Sequence, residues 1–244
     1  MRLRAVTYNV HKCRGMDGRV STGRISQVLH EVDADVIALQ EVTAPQAEIL
    51  SAELAMPNVF GENRRYQGDP YGNAVLSRLP IRGWRNYDLS VTGREQRGCL
   101  RVDLDTEDAG LHVFNVHLGT SHGERRHQAR KLVAADLLAD LTLQQPRIVL
   151  GDFNEWTRGL TTELLRSHMK TAGFAGRSYP GLLPFLSLDH IYYDESLGLI
   201  KLALHRSARA LVASDHLPLI GDFEWYGVSG SACRETAQKE NGSK

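Results

Sequence analysis

The sequence predicts an α/β fold in which two mixed β-sheets pack face to face with helices outside. Two observations carry this. Strand-like apolar runs outnumber the helical segments they alternate with, and several neighbouring strands are joined by turns too short to hold a crossover helix. No Pro/Gly/Ser-rich linker interrupts the 244 residues, so one domain is expected over residues 1–226.

In chain order, Arg2–Asn9 reads as a strand. Gly23–Glu31 reads as a helix with Ile25, Val28 and Leu29 on one face, and Val36–Glu41 as an apolar strand. Pro45–Leu54 opens with proline at a permitted first-turn position and reads as a helix. Shorter strands follow at Asn58–Phe60, Asn73–Ser77, Ile81–Tyr87, Cys99–Leu104 and Leu111–His117. Glu124–Leu141 is predicted as the longest helix, with Leu132, Leu138 and Leu141 at roughly helical spacing. Arg147–Gly151 is a strand and Thr162–Ala172 a helix, and the strands Leu188–Tyr193, Leu199–Leu204 and Leu217–Glu224 close the fold. Residues 227–244 are polar and aperiodic, which predicts a flexible tail.

Composition excludes several classes. No apolar run approaches the length of a membrane span, and the chain starts in a strand without a basic-then-apolar leader. Three cysteines (Cys13, Cys99, Cys233) without CxxC spacing argue against a disulfide scaffold and a structural zinc site. A cytoplasmic monomer is the expectation. Lys and Arg total 29, as do Asp and Glu, and this neutrality disfavours a dedicated polynucleotide binder while leaving nucleic acid open as a partner.

The most informative segment is Val149-Leu150-Gly151-Asp152-Phe153-Asn154. A buried strand ends at glycine, and a carboxylate and an amide follow two residues apart. Strand periodicity would aim Asp152 and Asn154 to the same side. Such a pair suits attack of water on a phosphate ester. Other strand ends follow the same grammar. Val6-Thr7-Tyr8-Asn9 ends in an amide, and Val36-Ile37-Ala38-Leu39-Gln40-Glu41 in a carboxylate. Val113-Phe114-Asn115-Val116-His117 ends in an imidazole, and Ser214-Asp215-His216 precedes the last strand. One such end is a solvated edge. Five in one domain point to a site.

With these motifs in this order, the chain resembles the endonuclease/exonuclease/phosphatase family of metal-dependent phosphodiesterases, from Arg2 to about Trp225. Asn9-Val10-His11-Lys12, Tyr71-Gly72-Asn73-Ala74-Val75-Leu76-Ser77-Arg78 and Gln96-Arg97-Gly98 are similar to a subgroup of small bacterial hydrolases without an established substrate. The resemblance implies a four-layer α/β sandwich with the site where strand ends of both sheets meet. It also implies Mg²⁺, with Mn²⁺ as a substitute, because hard oxygen ligands with few carboxylates suit Mg²⁺. Glu41 is the expected principal carboxylate, with Asn9 beside it and Asp215 close or water-bridged. Asp152 and Asn154 resemble the water-orienting acid and the amide that steadies the transition state. His216 resembles the histidine that contacts the scissile phosphate, and Asp189 matches the position that fixes its tautomer. His117 matches a second histidine, which either protonates the leaving group or donates to a non-bridging oxygen. The sequence does not decide between these roles, nor whether Asp152 or His216 takes the water's proton.

Asn73, Arg97, Arg125 and Gln128 are further candidates. Arg97 could reach phosphate, Asn73 could support His117, and Arg125 and Gln128 face the same way from one helix. His11, Lys12, His122, His127 and His190 read as loop or packing residues. Between Asn154 and Asp189, the loop Arg177–Leu186 carries Leu182, Leu183, Phe185 and Leu186 between two prolines. Exposed, these side chains would suit a lipid tail or membrane surface. Folded inward they are core, which is the expectation taken here. The expected activity is hydrolysis of a small-molecule or lipid-like phosphomonoester or phosphodiester. A DNA endonuclease or exonuclease, including an abasic-site type, is the alternative. An inactive binding module is the remote one, since Glu41, His117, Asp152, Asp215 and His216 are all present.

Overall fold

A computed structural model describes residues 1–106, 110–134, 137–143, 146–156 and 159–225. The expected tail at 227–244 and Cys233 lie outside the described residues. The strands form two six-stranded sheets. In the first, β11(Leu197–Leu204), β12(Leu219–Trp225), β1(Arg2–Asn9), β2(Val36–Thr43), β4(Asp69–Ser77) and β3(Asn58–Tyr66) lie in that order. The second runs β5(Ile81–Asp88), β6(Gly98–Asp105), β7(Gly110–His117), β8(Arg147–Asp152), β10(Asp189–Tyr193), β9(Lys170–Thr171). β1 with β2, and β7 with β8, are parallel pairs in otherwise antiparallel sheets, so both sheets are mixed as expected.

Period-two alternation builds the layers. Leu3, Ala5, Val36 and Ala38 meet Leu111, Val113, Ile148 and Leu150 between the sheets. The opposite faces bury Val6, Tyr8, Ile37 and Leu39 under α1(Thr22–Val32) and α2(Ala44–Leu54). Phe114, Val116 and Val149 pack with Leu132 of α3(His122–Leu132) and Leu165 of α4(Leu160–Arg166). Ser21 caps α1, and Thr43 with Gln46 forms a reciprocal capping box on α2. β3 and β4 are longer than the sequence suggests, because Gln67 and Gly68 both take positive φ and close a two-residue hairpin turn.

Two helices end earlier than predicted. α3 stops at Leu132. Beyond it Leu137 and Leu138 reach the core from a turn in which Leu138 N–H donates to Leu132 O, and this leaves Leu141 93% exposed. Apolar spacing there marked the burial of Leu138 but neither a helix nor the place of Leu141. α4 likewise stops at Arg166, and Lys170–Thr171 add β9 to the sheet edge against β10. The short helix α5(Ala210–Ala213) was not predicted. Cys13 and Cys99 are free and buried. No helix among the described residues is long and apolar enough to cross a membrane.

Candidate active site

Strand ends from both sheets meet above a buried polar strut. Gln40 on the inner face of β2 donates to Asn115 of β7 at 2.7 Å, and Asn115 Nδ2 donates back to Leu39 O and Ala74 O. Above this strut, Asn9 Nδ2 donates to Asp152 Oδ2 at 3.0 Å and faces Glu41 Oε1 at 3.3 Å.

Strict alternation would send Glu41 outward beside Leu39 and Ile37. It points inward because β2 carries a bulge between Leu39 and Val42, where Glu41 adopts a φ of 56°. Asp152 follows from plain register, since it pairs with His117 on one side and Asp189 on the other. Gly151 makes that register possible. A Cβ there would lie 1.9 Å from the Val116 carbonyl oxygen. Asn154 reaches the site by another route than strand period. The strand ends at Asp152, and Asn154, with φ 50°, donates its N–H to Asp152 Oδ1 and its side-chain amide to Leu118 O.

Two imidazoles face Asp152 Oδ2, with Nε2 of His117 at 3.6 Å and Nε2 of His216 at 3.7 Å. His216 Nδ1 sits 2.9 Å from Asp189 Oδ2, which also accepts from Ser178 Oγ at 2.6 Å. Ser214 Oγ donates to Asn9 O, which ties the Asp215-His216 loop to the end of β1. Burial opposes charge on His216, but the Asp189 and Asp152 carboxylates outweigh it and raise its pKa to about 10. His117 goes the other way. Burial and the adjacent Arg97 guanidinium, whose Nη1 lies 3.1 Å from the ring, hold it well below the usual imidazole range. Burial, with the Asp189 charge, pushes Asp152 up to about 6 against the pull of His216. Burial also acts on Glu41, but the adjacent His117, then the Lys12 ammonium and the Asn9 amide, outweigh it and hold it well below the usual carboxylate range.

Asn9, Glu41, His117, Asp152, Asn154, Asp189, His216 and Arg97 are thus brought together. Asp215 sits at the edge of this group. Its carboxylate lies 3.6 Å from His11 Nδ1, beside the loop after β1 rather than on Glu41. Asn73 does not support His117. It is fully buried and donates to Gly98 O and Asn115 O, so it braces the strands behind the site. Arg125 and Gln128 grip the turn after β7, through Arg125 to Gly119 O and Gly119 N–H to Gln128 Oε1.

Several residues went unrecognised in the sequence. Lys12 pairs with Glu41 Oε2 at 2.8 Å and lies over the rings of Tyr66 and Tyr71. His11, Lys12 and Cys13 all have positive φ, a run of left-handed non-glycine residues typical of functional turns. Arg64 lies over Tyr71, and both it and Arg97 are bound by Glu95. Tyr179 packs on His216 with ring centroids 4.9 Å apart. The motif Asn9-Val10-His11-Lys12 carried the one sequence signal for these contacts.

The model of the endonuclease/exonuclease/phosphatase family matches residues 6–216. The chain belongs to this family. Members of the family are generally phosphoester hydrolases. The uncharacterized protein YbhP of Escherichia coli K12 is 31% identical, with 88% of this chain and 94% of that protein covered. Among solved structures, an endonuclease/exonuclease/phosphatase of Beutenbergia cavernae superposes with a TM-score of 0.75 at 22% identity, covering 93% of this chain and 72% of that one. A mannosyl-6-phosphatase of Bacteroides thetaiotaomicron gives 0.77 at 17% identity, covering 91% and 100%. The human Nocturnin catalytic domain gives 0.72 at 19% identity, covering 92% and 95%. The four-layer sandwich of the family is the fold found here.

The loop between Asn154 and Asp189 corrects a further expectation. Leu182, Leu183 and Phe185 do not fold into the core and are 55%, 78% and 59% exposed. The loop is closed at its base by paired backbone hydrogen bonds between Tyr179 and Leu186, and Gly181 N–H donates to Asp215 O. These bonds hold the tip outward.

Proposed function

We propose that the protein is a Mg²⁺-dependent phosphoester hydrolase, with Mn²⁺ as a substitute, acting in the cytoplasm as a monomer on a small or lipid-like phosphomonoester or phosphodiester. The observation that carries this reading is the convergence on Asp152 Oδ2 of Asn9, His117 and His216, with ionised Glu41 alongside.

The donor set fits a divalent ion held lightly. No group of three or more His, Cys, Asp or Glu among the described residues forms a metal cage, and Mg²⁺ needs none. It is commonly held by one or two carboxylates and keeps several waters. Glu41 and Asn9 would hold it, with Asp215 reached through water. Bound there, it supplies charge neutralisation to the phosphate and an acidified water.

The side chains divide the remaining work. Asp189 holds His216 as an imidazolium, which donates a hydrogen bond to a phosphate oxygen and cannot also be the base. That leaves Asp152 to take the water's proton, with Asn9 and the Asn154 N–H keeping its oxygens in place. His117, kept neutral beside Arg97, suits donation of its N–H to a non-bridging oxygen rather than protonation of a leaving group. Lys12 brings a further positive charge to the same phosphate. Arg64 and Arg97 are both engaged by Glu95, which offsets part of their charge beside the site.

A panel of soluble monoesters and diesters, a phospholipid and abasic DNA, each with Mg²⁺ and with excess chelator, tests the reading. Turnover should need the metal, and Glu41→Gln should lose both turnover and calorimetric Mg²⁺ binding. Undiminished turnover in chelator would overturn it. For DNA the salt slope of binding should be shallow, against about −0.9 per neutralised phosphate for a duplex binder. A steep slope with abasic cleavage would promote the nuclease reading.

A further inference from the structure

We infer that the apolar tip of the loop 179–186, together with the neighbouring turn 14–20, is a docking surface for an anionic phospholipid bilayer. Leu182, Leu183 and Phe185 form the tip, and their exposure is built in. Tyr179 and Leu186 exchange backbone hydrogen bonds, Phe185 N–H donates to Tyr179 O, and Ser178 Oγ is fixed on buried Asp189. The tip is therefore presented in one arrangement, and insertion would cost little ordering.

The neighbouring surface extends the apolar face. Gly181 lies against the 211–215 segment, where an added Cβ would come within 2.8 Å of Ser214 O and 3.4 Å of Leu211 O. On its other side the same segment meets the 14–20 turn, through Met16 N–H to Val212 O at 3.0 Å. Met16, Val20 and Val212 are all exposed large apolar residues. The three segments set an apolar band beside Asp215 and His216, at the mouth of the site.

Charge selects the occupant. Arg14 and Arg19 flank Met16 on the turn, Arg177 begins the loop, and Arg206 donates to the Arg177 carbonyl, with all four arginines exposed. Asp17, the acid on the turn, is bound by Arg24. Apolar side chains ringed by arginines match a bilayer whose headgroups carry phosphate, where the tips enter the acyl boundary and the guanidiniums stay with the headgroups. A second copy of the chain would instead bring the same arginines together. The inference rests on the proposed hydrolase reading only in placing the docked lipid near the reacting phosphate. Docking itself is measured without turnover.

The test is co-sedimentation of the full chain with vesicles of phosphatidylcholine, and with vesicles of phosphatidylcholine and phosphatidylglycerol in equal parts. The wild type should partition onto the anionic vesicles and release at high salt. The triple substitution Leu182→Ser, Leu183→Ser and Phe185→Ser should weaken partition by roughly a hundredfold or more, from burial lost at three large apolar side chains. Its melting temperature should stay unchanged, because none of the three is in the core. Arg14→Gln with Arg19→Gln should reduce the preference for anionic over neutral vesicles at least tenfold, at about 1 kcal/mol per arginine, and an unchanged preference would overturn the assigned role of the turn. No partition of the wild type, or equal partition of the triple variant, would overturn the inference. So would concentration-dependent dimerisation that the triple variant abolishes, since the face would then be a self-interface.

Discussion

Asp189→Asn isolates the charge behind His216. Both hydrogen bonds to Asp189 fall on Oδ2, while buried Oδ1 has no partner. An asparagine can place its oxygen at Oδ2 and keep both contacts, so the geometry survives and the charge is lost. A hydrogen bond to a charged group contributes about 1.5–3 kcal/mol and a neutral one about 0.5–1.5. The difference of about 1–2 kcal/mol corresponds to about a 5- to 30-fold fall in kcat/KM. The asparagine NH₂ would meet no acceptor at the Oδ1 position, which adds about 1–3 kcal/mol of lost stability. The His216 pKa, read by imidazole NMR in chelated protein, should fall from about 10 toward its ordinary 6.5. The sign follows from a raised histidine. The contribution of that raised pKa to folding stability is fully present below pH 6.5 and is lost as pH rises through about 10, while in kcat/KM the wild type should outperform the variant most between those two values, where it alone keeps the imidazolium. Unchanged kcat/KM alongside a lowered His216 pKa would refute the role of the imidazolium, and an unchanged pKa would refute the role of Asp189.

His117→Ala should slow hydrolysis of an alkyl ester and of an activated nitrophenyl ester by similar factors, on the order of 10²–10³-fold as for loss of one donor to a phosphoryl oxygen. A loss confined to the alkyl ester would make His117 the general acid. Gly151→Ala should cost about 1–3 kcal/mol in denaturant unfolding and disturb the site as well, because the new Cβ drives β8 away from β7 where His117 and Asp152 pair. An unchanged midpoint would show that the strand accommodates it.

Local periodicity explains what was legible in the sequence. Alternation along β1, β2, β7 and β8 assigns each apolar side chain to the inner or outer layer, and it places Asn9, His117 and Asp152 at inward strand ends. These assignments need only neighbouring residues. The polar order along the chain was also enough to propose Glu41, Asp189 and His216.

Tertiary structure decided the rest, because it depends on partners distant in sequence. Glu41 faces inward through a bulge that exists only against β4, and Lys12 meets it across 29 residues by way of a left-handed turn. Asn73 turned to the backbone of β6 and β7. An apolar run records hydrophobicity but not its destination. Leu137 and Leu138 went into the core from a turn after α3 and Leu141 did not, while Leu182, Leu183 and Phe185 stayed outside, because hydrogen bonds at the loop's base hold them there.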